Sequence, residues 1–299
     1  MTAEYAEPKR RGFFASWVQI GAPVGFLLPM ALFAILNATL TPEAMMDYGW
    51  RIPFLLSLLL VIVGLFIRLK IDESPVFAQI RETKAEESRP LIEVVRDYPG
   101  IVAKGVCAKL IEACTFAMFT VIVLAYGKAN NLDANILMET MIVAVIIEVF
   151  AIPLMGALCD KIGRKPVYII GAGLQVIMII PFFLAINQDN FWLTQLVMII
   201  VISFGHSMCY APQASFFPEL FPTHIRCSGI ALIWQLGSLI GSGVLGLVAV
   251  KILQVTGGHY YGMAIYVIVL GIISIGGLIL MPETAPQKLK SEYQEWAKH

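Results

Sequence analysis

Residues 156–166 read GALCDKIGRKP and join two long apolar runs, at about 134–158 and 166–186. Gly156 and Gly163 allow close backbone approach and unusual dihedral angles, which predicts a very tight turn between the two runs. Asp160 can lie near a helix terminus or pair with Arg164. Physical grounds alone leave two interpretations open, a specific structural turn or a generic basic loop beside a membrane.

Eight apolar runs are long enough to cross a lipid bilayer, which takes about 20 residues of helix. They lie at about 13–40, 51–69, 100–127, 134–158, 166–186, 191–216, 227–253 and 260–281. The predicted fold class is therefore an all-α integral membrane protein with about eight transmembrane helices.

The composition also indicates a membrane protein. The 299 residues are 58% hydrophobic and only 14% charged, whereas soluble domains carry about 25% charged residues. Because 21 basic and 21 acidic residues cancel, no basic field attracts nucleic acid. The five cysteines include no CxxC pair and no zinc-type spacing. These observations exclude a disordered protein, a disulfide scaffold and a zinc module, and we expect membrane lipid as a partner and no metal or cofactor.

Lysine and arginine counts in the connections predict the orientation, because cytoplasmic loops carry an excess of them. Sixteen lie on the side that includes both chain ends, three lie on the opposite side, and Lys104 and Lys109 lie inside a span. We therefore expect both termini to be cytoplasmic. The longest connection, 70–99, has dense mixed charge and apolar residues at helical spacing, which predicts short helices at the membrane surface.

Four further motifs accompany the 156–166 segment in a fixed order. They are GWRIPF at 49–54, DESPVF at 72–77, PELFPTHIRCSG at 218–229 and MPETAP at 281–286. The pattern G-x-L-x-D-x-x-G-R-K resembles the signature loop of the major facilitator superfamily. Together the motifs resemble its metabolite–proton symporter branch, whose members carry shikimate, 2-oxoglutarate, citrate, proline or betaine, and which is related to the sugar porters.

The resemblance implies a twelve-helix fold in two halves, and this chain matches spans five to twelve. Residues 4–25 resemble the loop before the family's fifth span and that span itself. We then expect four regions: 1–69 with the last two helices of the N-terminal half, 70–99 as a cytoplasmic linker, 100–281 as the C-terminal half, and 282–299 as a tail. The first four spans are missing from the match, by truncation, by an internal start at Met1, or because another polypeptide supplies them.

The resemblance also implies a cytoplasmic latch that joins helix ends in one state and releases them in the other. Its candidate residues are Gly156, Asp160, Gly163, Arg164, Lys165, Glu219, Arg226, Glu73 and Glu283. It further implies a bacterial inner (plasma) membrane location and, for a full-length protein, a monomer.

Three titratable residues inside spans share one predicted depth, since helical rise is about 1.5 Å per residue. Glu112, Glu148 and His206 all lie near the midplane, where facilitators bind substrate and coupling ion. Charges at this depth are rare, so we expect these three to couple protons to transport. Alternatives remain: Lys109 and Glu112 are three residues apart and can simply neutralise each other, and His206 can be a plain hydrogen-bond donor between helices.

Candidates to line a substrate cavity are Lys109, Tyr210, Gln213, Trp234 and Gln235, although aromatic and amide side chains also join helices structurally. The predicted function is secondary transport, a proton-coupled symport of a small organic acid or zwitterion by alternating access. The first alternative is a non-transporting fragment or a partner subunit of a facilitator. An integral-membrane enzyme is a remote alternative, because the spans hold no HExxH, GxSxG or paired catalytic aspartate motif.

Overall fold

A computed structural model of the protein describes residues 10–70 and 90–285, and every regular element in these two ranges is helical. Eight helical stretches there are long and apolar enough to cross a membrane. They are Arg11–Thr39, Pro42–Lys70, Pro99–Ala129, Ala134–Ile162, Arg164–Ile186, Phe191–Glu219, Arg226–Val255 and Tyr261–Ile279. The fold class and the eight spans predicted from the sequence are confirmed.

Ten helices are numbered here in chain order. They are α1 (Arg11–Gln19), α2 (Gly21–Thr39), α3 (Arg51–Lys70), α4 (Pro90–Asp97), α5 (Pro99–Ala129), α6 (Ala134–Ile162), α7 (Arg164–Ile186), α8 (Phe191–Glu219), α9 (Arg226–Val255) and α10 (Tyr261–Ile279). The chain divides into two compact units, residues 21–86 and the remainder. Of the ten numbered helices, the smaller unit holds α2 and α3 and the larger unit holds the other eight.

The predicted tight turn joins α6 to α7 through the single residue Gly163, whose φ is +111°. This dihedral favours glycine, and a side chain at Gly163 would also meet the Glu283 carboxylate. Polar side chains cap the starts of two helices of the larger unit, α6 and α8. Asp133 accepts the Asn135 amide at the start of α6, and Asn190 accepts the Leu193 amide at the start of α8, at 2.8 and 3.0 Å. Such caps satisfy amides that the helix itself leaves unpaired.

Helix α5 is the centre of the larger unit and packs against α9 and α10. Glycines bring these backbones close together: a Cβ at Gly241 of α9 would lie 2.8 Å from the Leu110 carbonyl, and one at Gly277 of α10 would lie 2.9 Å from the Lys104 carbonyl. Small residues at such contacts are the usual means of close helix packing in membranes. Helix α8 packs on α6 and α7, and α1 packs on α6 and α8.

Three spans of the larger unit contain a π-helical segment. These segments are Met118–Ile122 in α5, Ile199–His206 in α8 and Leu239–Gly243 in α9. A π-helical turn holds more residues than an α-turn and is frequent at functional sites. The segment in α8 ends at His206, one of the residues predicted to lie at mid-depth.

The described part of the predicted linker includes α4, whose Val94 is fully buried while Leu91 and Ile92 are exposed. This fits a short helix with one inward face. The remainder of the linker, residues 71–89, lies outside the described residues. In the smaller unit, α3 buries none of its residues, so its apolar surface is free to contact lipid or other helices.

Candidate functional site

Four titratable side chains from three helices meet inside the larger unit and form what we call the central cluster: Lys109 and Glu112 of α5, Glu148 of α6 and His206 of α8. Each is at most 4% exposed, and Glu148 is fully buried. The groups form one chain of contacts, in which Lys109 pairs with one Glu112 oxygen and His206 bridges the two carboxylates. The three residues that the sequence analysis singled out as candidates for proton coupling thus lie in a single site.

The His206 ring contacts a carboxylate through each nitrogen. Its Nε2 lies 3.1 Å from Glu112 Oε1, and its Nδ1 contacts Glu148 Oε1. A neutral imidazole has only one N–H to donate, so two good hydrogen bonds require one extra proton. That proton either makes His206 an imidazolium or makes one of the two carboxylates a carboxylic acid.

Glu148 has an unused acceptor in this arrangement. Among the described residues, its Oε2 is buried and has no hydrogen-bond partner. A buried polar atom without a partner costs free energy. Such atoms are few in native structures, and a functional role is one explanation for them. This Glu148 oxygen is therefore a position at which the carboxyl group can hold a proton without breaking its contact with His206.

The wall of the central cluster is aromatic and amide. The Tyr210 ring stacks on His206 with centroids 5.1 Å apart, and Phe116 lies on it at 5.0 Å. Gln213 Nε2 donates to Glu112 Oε2 at 3.3 Å and to the Tyr168 hydroxyl at 2.8 Å. The apolar rings exclude water, which strengthens the electrostatic contacts between the charges.

Two aromatic faces cover the Lys109 ammonium. Its Nζ lies 3.8 Å from the centroid of the Trp234 ring and 5.5 Å from that of Tyr210. It also donates to Glu112 and, at 3.0 Å, to Gln213 Oε1. Four of the five predicted cavity residues therefore surround one point, whereas the fifth, Gln235, is exposed on α9.

Several buried polar residues near the cluster were not singled out in the sequence. Gln175 of α7 is fully buried, bonds to the Thr115 hydroxyl and donates to Cys209 Sγ at 3.5 Å. The Tyr168 hydroxyl donates to the Ala108 carbonyl at 2.8 Å, and the Ser203 hydroxyl to that of Ala144 at 2.6 Å. The sequence signal for this buried polar network was Gln175, a single glutamine in the otherwise apolar run of α7.

A second group of charges lies at the start of α1 and at the ends of α6 and α8, and we call it the end cluster. The Asp160 carboxylate accepts the first backbone amides of α1, from Gly12 at 2.8 Å and from Phe13 at 2.9 Å. It also pairs with Arg164 at 3.0 Å. Asp160 therefore adopts both arrangements considered from the sequence, because a carboxylate has acceptors enough for a helix N-terminus and a guanidinium.

Arg164 is fully buried and extends the end cluster to α8. Its Nε lies 3.5 Å from Glu219 Oε2, and Arg11 Nη1 lies 3.7 Å from Glu219 Oε1. The Thr284 hydroxyl donates to Glu219 at 2.5 Å. Glu219 thus connects the N-terminal end of α1, the start of α7 and the segment after α10.

Glu283 caps the start of α7. Its carboxylate accepts the amides of Arg164 and Lys165 at 2.9 and 3.1 Å. The Lys165 ammonium in turn donates to the carbonyls of Ile279 and Met281 at 2.7 and 2.8 Å, which fixes the end of α10. A carboxylate at a helix N-terminus is stabilised by the helix dipole.

The structure places the remaining latch candidates as follows. Arg226 Nε donates to the Pro218 carbonyl at 2.9 Å and so links the start of α9 to the end of α8 across the turn between them. Gly156 lies against α1, where a Cβ would meet the Gly12 carbonyl at 2.7 Å and the Ser16 side chain. Glu73 lies outside the described residues.

The comparisons with known proteins agree with this architecture. Residues 105–297 match the family model described as Major Facilitator Superfamily, and residues 1–104 match that described as Sugar (and other) transporter. The shikimate transporter of Escherichia coli K12 is 30% identical over 95% of this chain and 66% of its own length. A glycine betaine/proline/ectoine/pipecolic acid transporter of Dickeya dadantii is 30% identical over 96% of this chain and 59% of its own length.

Solved structures show the same fold. A crystal structure of a double-Trp mutant of XylE covers 98% of this chain and 69% of its own, with a TM-score of 0.76 and 19% identity. A D-xylose–proton symporter covers 95% of this chain and 66% of its own, with a TM-score of 0.62 and 18% identity. The chain spans about two thirds of the length of the first curated relatives it matches.

Proposed function

Because the chain belongs to the major facilitator superfamily, we propose that it acts as a secondary transporter in a bacterial inner membrane. It moves a small organic acid or zwitterion by proton-coupled symport and alternating access, with both termini cytoplasmic. The named relatives support transport of small organic molecules, since one is a shikimate transporter and another carries betaine and proline.

The observation that carries the proton coupling is His206 between two buried carboxylates. Glu112, Glu148 and His206 lie 13 or 14 residues from an end of their spans, namely Pro99, Ile162 and Glu219. At about 1.5 Å per residue they are roughly 20 Å along each helix. They therefore share a level well inside the bilayer, where coupling ions and substrates bind in transporters of this type.

Proton occupancy of the cluster determines how well α8 is held to its neighbours. With the shared proton present, both ring nitrogens of His206 donate or accept properly, and α8 is linked to α5 and α6. Without it, one ring nitrogen faces a carboxylate oxygen with lone pairs on both sides, and that contact becomes repulsive. Binding and release of the proton thus favour two different packings of the same helices, which is the requirement for coupling an ion to a conformational change.

The end cluster serves as the second part of the mechanism. In the structure Asp160 holds the start of α1 against α6, and Glu219 holds it to α8. We assign this closed arrangement to the state in which the predicted cytoplasmic end is shut. Opening toward the cytoplasm separates Asp160 from the amides of α1.

The test uses the purified chain in liposomes with an imposed proton gradient, with shikimate and glycine betaine as probes. Glu148→Gln should abolish gradient-driven uptake, because an amide cannot exchange the proton, and should retain part of the exchange of labelled for unlabelled probe. The matched control is Glu139→Gln, an exposed carboxylate on the same helix, which should leave uptake unchanged.

Two results would contradict the proposal. Undiminished uphill uptake by the Glu148→Gln variant would exclude this residue as the proton carrier. Absence of uptake and exchange of both probes by the unmodified chain would exclude proton-coupled transport of these substrate classes by this chain.

A further inference from the structure

The Lys109 ammonium has no free donor in this structure. It has three N–H groups; one donates to Glu112, one to Gln213 Oε1 at 3.0 Å, and the third side of the ammonium lies over the Trp234 ring. Lys109 is only 2% exposed. In this arrangement it cannot anchor a substrate carboxylate unless it first leaves Glu112.

The surroundings of this ammonium are those of a cation-binding site. Trp234 and Tyr210 present their ring faces to it at 3.8 and 5.5 Å, both within the range of a cation–π interaction. The two rings pack edge to face at a centroid distance of 5.8 Å, which makes a corner. Glu112 supplies the opposite charge on the remaining side.

Helix α9 contacts the aliphatic part of the Lys109 side chain at Gly237. A Cβ at Gly237 would collide with Cβ and Cγ of Lys109, so the absence of a side chain there gives the lysine its room. Trp234 lies one turn earlier on α9 and is only half-buried. Of the two aromatic walls, Trp234 is the more exposed, since Tyr210 is only 8% exposed, so a ligand that enters the corner would approach from the Trp234 side.

We propose that Trp234, Tyr210 and Glu112 form an ammonium cage for the cationic group of a zwitterionic substrate, and that Lys109 is a tethered cation which occupies this cage until the substrate displaces it. The inference rests on the proposed transport function and names its substrate class. Lys109 keeps the cage neutral when it is empty of substrate, because a buried carboxylate without a partner is costly.

Charge balance favours a zwitterion over an organic anion. With the shared proton on His206, the two cations and two carboxylates of the central cluster sum to zero. A zwitterion preserves that balance, whereas an anion adds an uncompensated charge in a region of low dielectric constant.

The experiment measures equilibrium binding to the purified chain by calorimetry, with glycine betaine and 3,3-dimethylbutyrate as probes. The second compound has the same shape and carboxylate but a neutral carbon in place of the ammonium nitrogen. The cage predicts a preference for glycine betaine of at least tenfold. Tetramethylammonium, which has no carboxylate, should compete with it.

Two variants of Trp234 test the aromatic wall of the cage, and Lys109→Met separates the two roles of Lys109 because they predict effects of opposite sign. Trp234→Leu should weaken glycine betaine binding about thirtyfold, and Trp234→Phe, which keeps a ring, should weaken it less. Lys109→Met should tighten it about tenfold, because the internal competitor is gone. If Lys109 instead anchors the substrate carboxylate, Lys109→Met weakens binding of both probes.

The cage is overturned if the unmodified chain does not prefer glycine betaine to its neutral isostere, a result that needs no variant and therefore no folding control. It is also overturned if Lys109→Met weakens glycine betaine binding while its unfolding temperature stays near that of the unmodified chain. Gradient-driven uptake of shikimate without such a preference would overturn the cage and leave the proposed transport function intact. A preference for glycine betaine without gradient-driven uptake would support the cage and contradict the proposed transport function.

Discussion

Removing the charge of Asp160 should release the start of α1 from α6. The two oxygens of the Asp160 carboxylate accept two amides of α1, at 2.8 and 2.9 Å. An Asp160→Asn side chain has one acceptor oxygen and can accept only one of these amides, and its NH₂ group then faces the second amide or Arg164. One hydrogen bond to a charged acceptor is worth about 1.5–3 kcal/mol, and a charge at a helix N-terminus adds about 0.3–2 kcal/mol. The loss is about 3 kcal/mol, since Arg164 retains Glu219.

A cysteine at Ser16 reports this opening. Ser16 is fully buried and packs on Gly156, so a Ser16→Cys thiol reacts with maleimide only when α1 leaves α6. When opening is fast relative to labelling, the rate follows the open population. A loss of 3 kcal/mol then raises the labelling rate about 150-fold, read by mass spectrometry of the labelled peptide.

The control is Asp97→Asn in the same Ser16→Cys background. Asp97 is exposed and pairs only weakly, at 3.6 Å, with Arg96, and exposed pairs contribute little. An Asp160→Asn rate within threefold of this control would refute the idea that the Asp160 carboxylate holds α1 in place.

Two further predictions concern the same end of the larger unit. Gly156→Ala should lower the free energy of unfolding by about 1–3 kcal/mol, because the added methyl group meets Ser16. Thermal unfolding in detergent measures this loss. The control is Gly173→Ala, which should leave the free energy of unfolding unchanged because a Cβ there meets nothing within 4 Å. Glu283→Gln should speed hydrogen exchange of the first two amides of α7 several-fold, because their charged acceptor is lost. Glu139→Gln should not alter that exchange, and equal rates in both variants would contradict the capping role.

The sequence was sufficient for elements that depend on local composition. Span limits follow from runs of apolar residues, and the turn at Gly163 follows from a glycine between charged residues. The common depth of Glu112 and His206 follows from counting residues along a helix of known rise. Each of these inferences uses only neighbours in the chain.

The sequence was not sufficient where the outcome depends on which helices pack together. Nothing in the order of residues shows that Trp234 of α9 covers the ammonium of Lys109, or that Asp160 accepts amides from α1, which is 148 residues away. Gln175 was overlooked for the same reason, since its partners come from two other helices. Long-range partners of polar groups in a membrane protein are fixed by helix packing, which the spacing along one helix does not encode.

The π-helical segment that ends at His206 has a rotational consequence. Successive residues of an α-helix differ by 100° about its axis, so a π-segment carries one surplus residue relative to the turns around it. Passing that surplus one position along α8 would swing His206 by roughly that angle and carry its ring out of line with both carboxylates. A shift of backbone register within α8 would thus exchange the hydrogen-bond partners of the imidazole, while the helix stays intact before and after the π-segment.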